Sequence, residues 1–376
     1  MNKTLYLFNP ETDLALADGT TTYLPPNRIA KMATDLSLLP HWYASPDCYT
    51  SIEQALSAAK PPCSIEVWGW NATLIHRLQK AGLPHHLYPT TSEMEQLREL
   101  SRRTTAIHIL HQLLPHPFFC GSAVELDNTD AIRSFVASQP DCLLKAPWSG
   151  SGKGLRFVHH SLTPAHTAWC NKTIARQRSV IAETFYRKII DFAMEFHADR
   201  QGNIRFAGYS LFTTDNKGAY QESTLATNEY IIKLLSDYIS IEILESLKIQ
   251  LPQLLSEIIG KQYSGYLGVD MMICQFEEPP FYRIHPCVEV NLRMTMGMVA
   301  RRLSDLYLSL GSIGRFIIAY NSNSEALALQ DKHLRYAHPL LRDKDEKIAS
   351  GYLALTPATS STHYQAYLLI TPKLNY

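Results

Sequence analysis

The sequence predicts a protein of the α/β class: a small N-terminal α/β domain followed by a body of α+β type. Three observations carry this. Over residues 1–95, strand-like apolar runs alternate with helical stretches. Beyond residue 140, pairs of runs alternate apolar and polar residues across short turns, as antiparallel strands do. The chain has 376 residues, 45% of them hydrophobic and 19% charged, which suits two or three domains around a large core.

The elements read in order as follows. TLYLF at 4–8 is a buried strand that runs into the turn-rich NPETD. IEVWG at 65–69 is a second strand, followed by a helix over 71–82. Ser92 predicts an N-cap, and Glu95 three residues later closes a capping box for a helix through QLRELSRR. That helix restarts in TTAIHILHQLL and stops before Pro115 and Pro117. A helix at 128–138 is ended by Pro140, and the strand CLLKAP, a Gly/Ser loop and the strand LRFVHH follow. A helix at 163–176 leads to the strand SVIAETF. FAMEFHAD and IRFAGYSLFTT read as antiparallel strands joined by a turn at 199–203. One long helical region covers 228–260. Two strands, GYLGVDMMICQF and FYRIHPCVEVN, come next, and 298–319 reads as a single helix. SGYLALTP and YQAYLLITP form a closing hairpin. No internal repeat or low-complexity tract is present.

Charge narrows the classes of function. Lys and Arg number 35, as do Asp and Glu, so the formal net charge is zero and no global field holds nucleic acid or an anionic membrane. The N-terminal apolar run is broken by Asn9, Pro10, Glu11 and Asp13, which predicts no signal peptide. No uninterrupted apolar stretch reaches the length of a membrane span. The seven cysteines are scattered without a C-x-x-C pair, which predicts reduced thiols in a cytoplasmic protein.

Two segments carry chemistry. In the first, residues 145–158, a strand delivers Lys145, a small-residue loop follows (Ser149, Gly150, Ser151, Gly152, Lys153, Gly154), and another strand leaves. Glycines let backbone N–H groups surround phosphate oxygens, and lysine adds a point charge. The segment fails the Walker pattern, because Lys153 is followed by Gly154 and Pro147 stands where the first glycine belongs. It fails the dinucleotide fingerprint because the next element is a strand. What remains is a glycine-rich flap between antiparallel strands; without a ligand, the same residues make a tight hairpin. In the second segment, Glu289 and Asn291 lie two apart on one strand and share a face, with Asp270 on the neighbouring strand. Two carboxylates and an amide oxygen are a hard, incomplete donor set that suits Mg²⁺. Arg293, on the same face, adds a cation for a phosphoryl group or an acidic substrate. The alternative is a surface strand with solvated charges.

Taken in order, these pieces resemble the ATP-grasp superfamily over residues 95–320, with residues 1–95 similar to its usual N-terminal partner domain. The resemblance implies a small nucleotide-binding lobe with its linker helix at 96–196, a large lobe with the metal site at 197–325, and a C-terminal hairpin at 326–376 packed on the core. It implies ATP and Mg²⁺ as cofactors. Arg103 stands where a lysine is more usual, and Lys145 matches the strand lysine that reaches the α/β-phosphates. Residues 149–154 match the loop that closes over the β- and γ-phosphates. Glu183, Thr184, Phe185 and Tyr186 match the adenine hinge, and Asp191 matches the acid on the ribose. Asp270, Glu289 and Asn291 match the metal ligands, and Arg293 matches the arginine of the carboxylase-like members. Lys153 and Arg293 are the implied catalytic cations. Gly268 stands near where ligases resembling D-alanine–D-alanine ligase place an arginine, which implies a different substrate geometry. The expected reaction is activation of a small carboxylate as an acyl-phosphate, followed by attack of an amine. A kinase acting on a small molecule, a carboxylase-like role and a non-catalytic nucleotide-binding protein stay open. The expected partners are small molecules, with neither nucleic acid nor membrane, and the resemblance implies a homodimer. Asn9, Glu11 and Asp13, after the first strand, are either a site for a cationic amine or an ordinary turn.

Overall fold

The computed structural model describes residues 3–45, 47–150, 154–215 and 220–371. Its N-terminal part contains β1 (Thr4–Leu7), α1 (Thr12–Asp18), α2 (Asn27–Asp35), β2 (Cys48–Tyr49), α3 (Ile52–Ser57), β3 (Ser64–Val67) and α4 (Ala72–Lys80). The three strands form a parallel sheet in the order β2-β1-β3. Asn9, at the end of β1, is buried and donates to the Gly69 carbonyl at 2.7 Å and to the Thr12 hydroxyl at 2.7 Å. It therefore stitches two strand ends together and is not open to a ligand. NPETD, read as a turn, instead opens α1, with Glu11 at the N-cap.

Helices α5 (Thr91–Leu100) and α6 (Arg103–Leu113) lead to a four-stranded antiparallel sheet. It contains β4 (Ala123–Leu126), β5 (Asp141–Lys145), β6 (Leu155–His159) and β7 (Val180–Thr184), in the order β4-β7-β5-β6. Helices α7 (Thr129–Ala137) and α8 (Pro164–Gln177) cover it, burying Ile132, Val136, Leu144, Val158 and Cys170 between them. The capping box of α5 starts two residues earlier than the sequence suggested. Thr90 caps the helix, and Glu93 accepts from the Thr90 N–H at 2.7 Å.

The third sheet is antiparallel, has nine strands and starts at Lys188, so the change of sheet falls between residues 184 and 188, ahead of 196. Its strands are β8 (Lys188–Ala198), β9 (Ile204–Thr214), β10 (Tyr220–Leu225), β11 (Gly265–Gln275), β12 (Tyr282–Asn291), β13 (Ile313–Tyr320), β14 (Leu341–Arg342), β15 (Ile348–Ala354) and β16 (Tyr364–Thr371). The order is β12-β11-β8-β9-β10-β13-β16-β15-β14. The expected helical region at 228–260 holds two helices, α9 (Asn228–Leu235) and α10 (Ile241–Ile259). The expected helix at 298–319 ends early. Here α11 (Met296–Tyr307) stops, Gly311 turns the chain at φ 83°, and IGRFIIAY becomes β13 between β10 and β16. That run is rich in β-branched and aromatic residues, which pack well on a pleated surface. A further helix, α12 (Ser324–Ala337), precedes the closing hairpin.

Period-two alternation gives the large sheet two unlike faces. Phe192, Met194 and Phe196 of β8 and Leu267, Val269, Met271 and Ile273 of β11 join Leu244, Leu247, Leu251 and Leu255 of α10 in one buried cluster. The opposite face carries Asp191, Glu195, Asp270, Glu289 and Asn291. The apolar face thus anchors the strands whose other face holds the polar groups.

The N-terminal part is also tied to the last strand. Asp35, buried at the end of α2, accepts from the backbone N–H groups of His363 (2.8 Å) and Tyr364 (3.1 Å) and pairs with Lys31 at 2.6 Å. Asp35→Ala leaves two backbone donors unpaired, and urea denaturation should show a loss of about 2–4 kcal/mol. An unchanged midpoint would mean that water replaces the carboxylate there.

Candidate active site

Lys145 ends β5 and is buried at 4% exposure, with its ammonium 2.5 Å from Glu183 of β7. Strand pairing makes this contact, since β5 and β7 are antiparallel neighbours with Lys145 opposite Ile181. The strand lysine and the hinge acid, 38 positions apart in sequence (183 − 145), therefore meet. Beyond Glu183, Phe185 is half exposed and meets Phe157 edge-on, with ring centroids 4.6 Å apart. Tyr186 lies against Phe276 and His285 at 5.9 and 6.2 Å. Burial, with the nearby Lys145 charge, pushes His285 down to about 3, so this imidazole is neutral. Asp191, on β8, accepts from Lys188 and from the Thr214 hydroxyl.

The glycine-rich loop leaves β5 at Ala146, whose N–H is bonded to the Gly154 carbonyl at 2.9 Å. Gly154 has φ 75°, a conformation that disfavours a side chain. Trp148 fixes the first half of the loop. Its indole N–H donates to the Arg98 carbonyl at 2.8 Å, and the guanidinium groups of Arg98 and Arg102 lie 4.1 and 4.7 Å from its ring. Ser149 and Gly150 are described. Ser151, Gly152 and Lys153 lie outside the described residues, so no structural role is assigned to Lys153.

Arg103 joins the two distant segments. It sits buried at the start of α6 and donates to the Ala146 carbonyl (3.2 Å) and to the Ser149 hydroxyl (3.3 Å). Its guanidinium is also 3.0 Å from Glu289 of β12. A single side chain thus spans from the glycine loop to the acidic strand.

On that strand the register sets Asp270 opposite Glu289 and Gly268 opposite Asn291. The pairing then slips by two residues, so that Met272 faces His285, beside Pro286, which has no N–H for a ladder bond. The Asn291 amide donates to Asp270 at 3.1 Å. Burial and then the Glu289 charge push Asp270 up to about 7, against the pull of Arg293 and the Asn291 hydrogen bond. Two carboxylates facing each other in a desolvated place, with an amide oxygen alongside, fit a hard divalent cation. Among the described residues no group of three or more His, Cys, Asp or Glu could hold a metal ion. A cation here would therefore rest on these three side chains, water and phosphate oxygens.

Arg293 is not free. It forms a fork-to-fork pair with Asp13 of α1, both bonds 2.8 Å long. Burial opposes its charge, yet the carboxylates of Asp13, Glu289 and Asp270 raise its pKa. Asp13 also touches the loop, since a Cβ at Gly150 would lie 2.2 Å from its carboxylate. An open cleft of about 370 Å³ is bordered by Asp13, Ser149, Glu289, Asn291 and Arg293.

Sequence reasoning missed Glu195. It is 1% exposed and accepts from the hydroxyls of Ser210 and Thr295, both at 2.9 Å. Its only sequence signal is a carboxylate between Met194 and Phe196 in an apolar strand. Gly268, the departure noted above, lies opposite it; a Cβ there would come within 2.7 Å of the Glu195 carboxylate, so any side chain at that position would have to displace Glu195. Burial and then the Asp270 charge push Glu195 up to about 8. Its folded pKa thus lies above the ordinary value near 4.5, and the folded chain keeps a proton that the unfolded chain gives up. The associated stability is full below pH 4.5 and falls as the pH rises towards 8. Glu195→Gln, which has no proton to lose, should flatten that fall in melts taken from pH 5 to 8. Parallel slopes in the two proteins would refute it.

No family model matches the chain, and no curated protein matches it. Solved structures do. The ADP complex of purK, an N5-carboxyaminoimidazole ribonucleotide synthetase, aligns over 98% of this chain and 92% of its own, with a TM-score of 0.52 and 13% identity. Biotin carboxylase from Campylobacter jejuni aligns over 99% and 88%, with a TM-score of 0.51 and 13% identity. Carboxyaminoimidazole ribonucleotide synthase from Aspergillus clavatus, complexed with ATP, aligns over 99% and 94%, with a TM-score of 0.51 and 12% identity. At such identities the likeness is one of fold.

Proposed function

We propose, from the ATP-grasp fold that this chain has, that it is an ATP-dependent ligase. On this reading it activates a small carboxylate as an acyl-phosphate for attack by an amine or another nucleophile. The observation that carries the reading is Arg103, which joins the glycine loop to Glu289 and so sets phosphate-binding groups beside the acidic pair. The nucleotide complexes of similar folds support ATP as the ligand.

Lys145 and Arg103 supply fixed positive charge along the phosphates, and Glu183 holds the Lys145 ammonium in place. Phe157, Phe185 and Tyr186 offer apolar surface to the base, and Asp191 offers an acceptor for the ribose hydroxyls. Asp270, Glu289 and Asn291 would hold Mg²⁺, which when bound neutralises phosphate charge. Arg293 would face the charge that develops as the γ-phosphoryl moves, and the loop at 149–154 would exclude water. No protein nucleophile is required, because positioning and electrostatics suffice for phosphoryl transfer.

The test is ADP release by the purified chain with Mg²⁺ against pairs of small acids and amines, with mass spectrometry of products. ADP together with an amide supports the ligase. A stable phosphorylated product without amide would make the protein a kinase, and nucleotide binding without ADP release would make it a binding protein.

A further inference from the structure

A second recess, open to solvent, lies where β1 and β3 meet the start of β11. Tyr6, Tyr43, Glu66, Trp70, Tyr263 and Tyr266 line it. Its wall is fixed by packing. Tyr43 and Tyr263 are 8% and 7% exposed, Tyr6 meets Tyr43 edge-on at 6.5 Å, and the Tyr263 hydroxyl donates to the Tyr266 carbonyl. Gly265 has φ 133°, and a Cβ there would lie 3.1 Å from the Tyr263 hydroxyl, so the recess has room only because no side chain stands at that position.

Glu66 is the one carboxylate in the lining. Among the described residues it has no hydrogen bond or ion pair; the cation that acts on it is Arg200, through charge alone. Surrounding atoms desolvate it and raise its pKa, and its charge in turn helps raise those of Tyr6, Tyr43 and Tyr263. Glu66 is exposed at the recess, so its carboxylate, without an internal counter-ion, is open to a cation from outside. Aromatic rings around it are what an organic cation with apolar bulk prefers over water. A metal ion would find one carboxylate and phenolic oxygens, a poor set for a hard cation.

We propose that this recess binds a small organic cation, a primary ammonium or a guanidinium group, through Glu66 and the aromatic rings around it. The recess shares Gly69 and Met294 with the wall behind Arg293: Met294 lines it, and a Cβ at Gly69 would lie 3.1 Å from the Arg293 Cβ. That adjacency makes the bound cation a part of the acceptor substrate, a role that rests on the ligase reading; the binding itself does not.

The experiment is calorimetric titration of the full chain, without nucleotide, with butylammonium, butylguanidinium, neutral butanol and ribose. At least one of the two cations should bind ten times or more tighter than butanol and ribose. Glu66→Gln and Tyr266→Ala should each weaken that binding at least tenfold while leaving ATP affinity unchanged, and Glu66→Gln should also leave the melting temperature unchanged. Equal binding of the neutral probes, no binding of either cation, or full affinity in Glu66→Gln would overturn the proposal. Failure of ADP release with persisting cation binding would remove the ligase reading and leave this site standing.

Discussion

Glu289→Ala should lower ADP release by roughly 100-fold or more while leaving the protein folded. Glu289 meets the opposite side chains of two elements: it stands across the ladder from Asp270 and accepts from Arg103 at 3.0 Å. Its removal therefore takes away one of two carboxylate ligands and frees the arginine that spans to the loop. The side chain is 27% exposed, so its loss leaves no large buried cavity, but it strips the carboxylate from the buried Arg103, so the thermal melt is part of the test. Lys145→Ala should be equally damaging to turnover and carries the same burden. It strips the partner from the buried Glu183 carboxylate, and an unpaired buried charge destabilises by itself. The decisive measurement is steady-state ADP release by Glu289→Ala beside its thermal melt. Wild-type rates from a folded variant would sink both the metal assignment and the proposed reaction.

Gly297→Ala should destabilise the fold by about 2–4 kcal/mol, the reverse of what the substitution does in an ordinary helix interior. There, alanine is favoured by about 1 kcal/mol. Here the position is the second residue of α11 and is buried, and a Cβ would lie 2.2 Å from the Glu195 carboxylate and 2.4 Å from the Ser210 hydroxyl. Those two atoms are bonded to each other at 2.9 Å. The extra carbon has to break that bond inside the core or push the helix away, and overpacking of this kind costs roughly 1–3 kcal/mol before the hydrogen bond is counted. Urea denaturation measures the loss. Repeating it in a Glu195→Ala background supplies the control, because the vacated space should cancel part of the penalty, the rest being set by the Ser210 Oγ and Cβ at 2.4 and 2.8 Å. A penalty of the same size there would show that Glu195 is not the obstacle.

The sheets were legible where side chains alternate. FAMEFHAD, IRFAGYSLFTT, GYLGVDMMICQF and FYRIHPCVEVN are all strands, and their alternation fixes the buried face, because a slip of one residue would turn it outward. The opposition of Asp270 and Glu289 was not legible in full: the register that pairs Gln275 with Tyr282 would set Asp270 opposite Cys287, and the two-residue slip brings Glu289 there. Lys145 meeting Glu183 was not legible, since it depends on β7 entering beside β5 after a whole helix. The Asp13–Arg293 pair joins residues 280 positions apart, and nothing local to either announces the other. Asp13 read equally well as a turn residue because Asn and Asp serve turns and helix starts with the same hydrogen bonds. The helix expected across 298–319 failed for a similar reason: after Gly311 the apolar run has no period that separates a buried strand from a buried helix.

The fork between Asp13 and Arg293 has a bearing on how ligand affinities at this cleft are to be read. The guanidinium already holds an internal carboxylate in the two-bonded geometry that an incoming acid or phosphate would take. An anion that reaches Arg293 does so by exchange, and its measured affinity is a difference between two ion pairs. The displaced Asp13 lies against Gly150, so the same exchange frees a carboxylate beside the glycine-rich loop.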